Sequence, residues 1–160
     1  MDYVILLRWL HVIGACVLLG TGAGIAFFML MAHRSGDARL IAGVAHIVVI
    51  ADWAFTASAV VVQPVTGYLL ARMLNWPMSE GWIVLSLGLY VLTGAFWLPV
   101  VWMQARMRKL ASEAAISNHA LPRAYHRLFW IWFACGFPAF AAVLGIIWLM
   151  LARPSITLFG

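Results

Sequence analysis

Apolar residues along this chain come in four long blocks, and ionisable residues fall almost entirely between them. Asp, Glu, Lys and Arg are absent from 9–33, 81–105 and 128–152, and Asp52 is the only one within 40–71. About 20 apolar residues in a helix cross the ~30 Å hydrocarbon core of a bilayer. In that medium each unpaired backbone group costs several kcal/mol, which makes helices the economical way to span it. The pattern therefore predicts helices near 4–32, 39–74, 81–108 and 122–152. Together they make an all-α fold, a four-transmembrane-helix antiparallel bundle that is one integral membrane domain over residues 1–160. The second block is longer than one crossing needs, and the stretch past Pro64 is expected to kink, tilt or lie in the interface. The segment 109–121, with Ser112, Glu113, Ser117, Asn118 and His119, reads as a polar loop, and Pro122 starts the fourth helix. The first block opens on Met1-Asp2-Tyr3 without a basic n-region and exceeds a signal-peptide h-region, so it is expected to be retained.

Composition removes the competing classes. Hydrophobic residues make up 66% and charged residues 9%, against roughly 45–50% and 25% in soluble domains. A water-soluble globule, a disordered chain and a disulfide scaffold are all excluded. Cys16 and Cys135 lie inside apolar blocks with no metal or c-type haem spacing and read as buried small hydrophobes.

The net charge of +5 reports orientation instead of a nucleic-acid partner. Seven of the ten basic residues (Arg34, Arg39, Arg106, Arg108, Lys109, Arg123 and Arg127) flank two connections, whereas Arg8, Arg72 and Arg153 lie at the other end. The positive-inside rule puts those two connections in the cytoplasm and both termini outside, N-out and C-out. Trp9, Trp76, Trp82 and Trp148 then mark the outer interface, and Trp102, Trp130 and Trp132 the inner one.

Chemistry has few places to reside. At about 100° per residue, His11, Ala15, Leu18 and Gly22 share one face of the first helix, flanked by Gly14. A histidine beside glycines suits a flat porphyrin, with His11 as the haem iron ligand and Gly14 and Gly22 leaving room for the ring. The same small residues, with Gly20 and Gly24 as a GxxxG pair, also suit close helix packing without a cofactor. On the second helix, Asp52, Thr56, Gln63 and Thr66 form a polar stripe. A charged side chain at mid-span costs roughly 2.5–3.5 kcal/mol on insertion scales, so Asp52 is expected to face the bundle interior and serve a proton relay or an interhelical hydrogen-bond network. Ser86, Tyr90, Thr93, Trp97 and Gln104 line one face of the third helix and answer it. His46 and His126 fall at one depth, toward the basic end, and form a second candidate haem pair; His33 and His119 read as loop residues. No GxSxG, HExxH, P-loop or dinucleotide fingerprint occurs, so an enzymatic activity is left open.

Several strings carry a resemblance. Leu7-Arg8-Trp9-Leu10-His11-Val12, Gly81-Trp82 and Ala124-Tyr125-His126-Arg127-Leu128 resemble HemJ-type protoporphyrinogen oxidases and the wider CopD-like membrane proteins. Ala51-Asp52-Trp53-Ala54-Phe55-Thr56, Gln63-Pro64-Val65-Thr66-Gly67 and Trp97-Leu98-Pro99-Val100-Val101-Trp102 resemble a bacterial family of predicted four-helix integral membrane proteins of unknown function, over nearly the whole chain. The resemblance implies a multi-pass protein of the bacterial inner membrane. For HemJ it also implies haem b bound at the position of His11 and a lysine on helix three, where this chain has Ser86; a Met such as Met73 is then an alternative second ligand. The expected function is a haem- or porphyrin-related redox role with a membrane redox partner or a homo-oligomer. The alternatives are a non-catalytic membrane subunit or scaffold, or a proton-coupled carrier using Asp52.

Overall fold

The computed structural model describes residues 3–157, and among them every regular element is helical. Helix α1 spans Tyr3–Ser35 and α2 spans Ala38–Ala51. A single π-helical turn at Asp52–Thr56 joins α2 to α3, Ala57–Met73, so 38–73 is one rod. Helix α4 spans Gly81–Ser117 and α5 spans Arg123–Ala152. These make four helices long and apolar enough to cross a membrane.

Local chemistry sets the turns. Gly36 adopts φ +68° between α1 and α2, a conformation that costs glycine least. Asp37 caps α2, its carboxylate accepting from the Arg39 N–H at 2.9 Å. Asn118 closes α4 in the left-handed region, which Asn tolerates better than most residues. Pro122 is extended at the α5 N-cap, where its missing N–H removes no helical bond.

The third spanning helix outruns its expected end. Residues 109–117 are helical, not a loop. Nothing there breaks a helix before Asn118, and the stripe Met107, Ala111, Ala114 is buried. Lys109 and Glu113 add an i,i+4 ion pair at 3.9 Å, so polar residues there form the outer face of a helix.

The rod 38–73 carries its one irregular turn away from Pro64. It stays helical through Pro64 to Met73, and its irregular turn lies earlier, at Asp52–Thr56. A proline strands the carbonyl four residues before it, here Val60. The Tyr90 hydroxyl of α4 donates to that carbonyl. Thr66 also donates its hydroxyl back to Val62 O at 2.8 Å.

Packing divides the bundle in two along its length. Toward the two basic connections, one core draws on all four helices: Ile25, Met29, Ile41, Val48, Met107 and Phe129 are among its buried members. Toward the termini, a small core of Trp82, Ile83 and Leu149 belongs to α4 and α5 alone. There α1 packs on α3 and α4 on α5, while α3 and α4 make almost no close backbone approach. Polar side chains occupy the interior of that half, which sets the stage for the site.

Candidate functional site at Asp52

Asp52 is 4% exposed, in the middle of the rod, at the first residue of the π turn. The turn is defined by the Ala57 N–H reaching back five residues to Asp52 O. At this turn Asp52 and Thr56 are buried while Trp53 and Phe55 are exposed. Such π turns recur at functional positions inside helices.

The carboxylate is held by two neutral donors from α4. Trp97 Nε1 donates to Oδ1 at 3.3 Å. Gln104 donates to Oδ2 at 3.3 Å when its amide nitrogen faces the acid, the orientation that also lets its oxygen accept from Trp132 Nε1 at 3.3 Å. The reverse orientation would set oxygen against oxygen. The result is a hydrogen-bonded chain Trp97–Asp52–Gln104–Trp132 across the rod, α4 and α5. Thr56 Oγ1, one turn along the rod, is buried with no partner. No Lys or Arg pairs with Asp52: among the described residues the one ion pair is Lys109–Glu113.

The two polar stripes behave differently. Asp52, Thr56, Gln63 and Thr66 are all buried, as are Ser86 and Gln104. However, Ser86 donates to its own helix at Trp82 O (2.7 Å) and Thr93 to Leu89 O (2.9 Å). Of the α4 stripe, Tyr90, Trp97 and Gln104 reach across, and Ser86 and Thr93 do not.

The second cluster lies around His11. Thr66 Oγ1 stands 2.8 Å from both His11 Nδ1 and Val62 O; the tautomer with its proton on Nδ1 satisfies both contacts when the hydroxyl donates to Val62 O, and it leaves the lone pair on Nε2. The Gln63 amide donates to His11 O at 2.7 Å. That side chain fills the space beside Gly14, where a Cβ would stand 2.2 Å from Gln63 Nε2. Gly67 lies against the other edge of the imidazole, its Cβ position 3.2 Å from His11 Cε1. These glycines let α1 and α3 close on each other. Gly22 has nothing within 4 Å of its Cβ position and is exposed, and Gly20 is likewise open. The free Nε2 suits a metal, but a porphyrin does not fit beside Gly14, because Gln63 and α3 occupy that space. Among the described residues the GxxxG pair also packs against no other helix; Gly24 meets only Phe28 of its own helix.

The remaining candidates separate. His46 is exposed on α2, and the histidine set against His126 is His33, with ring centroids 5.5 Å apart. His33 lies in the last turn of α1, stacked on Phe129 at 3.7 Å and beside Tyr125 and Trp130. Its Nδ1 and the Tyr125 hydroxyl are both buried without partners. Reading His33 as a loop residue missed this cluster; its spacing after the buried Ile25, Met29 and Ala32 was the available signal. Met73 and His119 are exposed, and Cys16 is exposed where a buried thiol was expected. Cys16 lies on the side of α1 that no other helix covers. Among the described residues no three His, Cys, Asp or Glu side chains converge as a metal site.

The chain belongs to the family described as Predicted integral membrane protein (DUF2269), whose model matches residues 5–154. No curated protein and no solved structure matches it. Nothing in these comparisons supports the resemblance to HemJ-type oxidases or CopD-like proteins.

Proposed function

We propose that this is a proton-coupled membrane protein in which Asp52 takes up and releases the proton. One observation carries the reading: a carboxyl group 4% exposed at mid-span, at a π turn, meets only neutral N–H donors and no cation. Ionisable groups placed so are expensive in a membrane and tend to mark proton or ion pathways. Seven of the ten basic residues lie at the two connections opposite the termini, which supports a bacterial inner-membrane orientation with those connections in the cytoplasm. The polar half of the bundle then lies toward the outside. Four helices offer few surfaces for alternating access, so transport would require a homo-oligomer or a partner subunit.

Infrared difference spectra of the protein in liposomes, between acidic and alkaline buffer, test this directly. A carboxylic C=O band that is lost in Asp52→Asn and shifts in Asp52→Glu is the expected result. No pH-dependent carboxyl band, or one unchanged in Asp52→Asn, overturns it. Proton uptake by proteoliposomes under an imposed gradient should fall in the same Asp52→Asn variant.

Haem b at His11 has one observation in its favour, the free Nε2, and the Gln63 packing beside Gly14 against it. A Soret band in protein expressed with ample haem, lost in His11→Ala, would restore it. The scaffold reading draws on the Gly20/Gly24 face, which no other helix among the described residues covers.

A further inference from the structure

The first two turns of α5 carry a shallow, open hollow along one face, lined by Arg123, Ala124, Arg127, Leu128 and Ile131. These positions recur at intervals of four and form one face of a single helix, where residues four apart are neighbours. Arg123 and Arg127 are exposed, and neither has a carboxylate partner: the one ion pair among the described residues is Lys109–Glu113. The first turn of α5 contains no acidic residue. Its cations thus stand at the helix end whose dipole favours anions. One turn further into the apolar span, the lining changes to Leu128 and Ile131.

We infer that this hollow binds one anionic phospholipid, its phosphate between the guanidiniums of Arg123 and Arg127 and an acyl chain along Leu128 and Ile131. Guanidinium groups match phosphate oxygens in a bidentate way that ammonium groups do not. The order of the lining, charge at the helix end and apolar surface deeper in the span, is the order of headgroup and tail. An inorganic ion would use only the charged half. The inference does not depend on the role of Asp52.

Native mass spectrometry of the full chain in detergent, titrated with phosphatidylglycerol or phosphatidylcholine of the same acyl composition, tests it. The expected preference for phosphatidylglycerol is roughly tenfold or more, the scale of two cations acting on one anionic headgroup. It should vanish in Arg123→Gln/Arg127→Gln and persist in Arg106→Gln/Lys109→Gln, which removes the same charge from the same end of the bundle. Both arginines are exposed, so folding is not at stake. Leu128→Ser/Ile131→Ser should weaken long-chain phosphatidylglycerol more than a short-chain form. Equal binding of the two lipids, equal loss in the Arg106/Lys109 control, or displacement by inorganic phosphate alone at millimolar concentration would each overturn the proposal.

Discussion

Replacing Tyr90 by Phe removes one hydroxyl and leaves the ring, and its consequence depends on a residue on another helix. Pro64 has no N–H, so Val60 O has no donor at the usual helical position; the Tyr90 hydroxyl supplies one. Without it, a partly buried carbonyl is left unpaired. In water-soluble proteins such a loss costs about 1–3 kcal/mol, while interhelical hydrogen bonds within membranes average about 0.6 and reach about 1.7. A destabilisation near 1 kcal/mol is therefore expected for Tyr90→Phe. Pro64→Ala restores the N–H at position 64, and in that background Tyr90→Phe should cost no more than about 0.3 kcal/mol, since Val60 O then has a helical partner. The coupling in the double-mutant cycle should be about 0.5–1 kcal/mol. Equilibrium unfolding in mixed detergent micelles, followed by tryptophan fluorescence, gives the four free energies. If Tyr90→Phe costs the same with and without Pro64, the hydroxyl is not the proline's substitute donor and the account of the continuous rod fails.

Gly14→Ala should expel the Gln63 amide from its place on His11 O and destabilise the protein by about 1–3 kcal/mol, as overpacking does, whereas Gly22→Ala should be neutral or slightly stabilising; comparing their unfolding midpoints checks this, and equal effects would contradict the packing at Gly14. Gly81→Ala places a Cβ 2.1 Å from Ile156 O, so it should loosen the segment after α5, measured as faster proteolytic trimming near residue 156 without loss of the helical far-UV signal. Asn118→Val should lower stability by about 1–2 kcal/mol, because a β-branched residue resists the positive φ that closes α4; Asn118→Gly should not. Gln104→Leu leaves Asp52 Oδ2 and Trp132 Nε1 without partners together, and its cost should shrink when Trp132→Phe is added, as read from the same unfolding assay.

The number of spans, their approximate limits and the inward position of Asp52 were all legible in the chain. Each follows from one-dimensional physics: an apolar block of sufficient length must leave water, and an acid within it must avoid lipid. The stripe Asp52, Thr56, Gln63, Thr66 was legible for the same reason, since helical periodicity alone groups it. What one helix does to another was not. The π turn at Asp52–Thr56 is a redistribution of hydrogen bonds within an unremarkable run of residues, and only packing against α4 gives Asp52 its donors. Pro64 was visible as a disturbance of the helix, but not that Tyr90, 26 positions later in the sequence, relieves the carbonyl it strands. Gly14 and Gly22 looked equivalent on a helical wheel; Gln63 fills the space beside one, and the other stands open. His33 became part of an aromatic cluster once α5 was laid beside α1. Burial preference is a property of each residue and can be read along a line, whereas partner identity depends on which helices stand side by side, and that is settled only when the bundle closes.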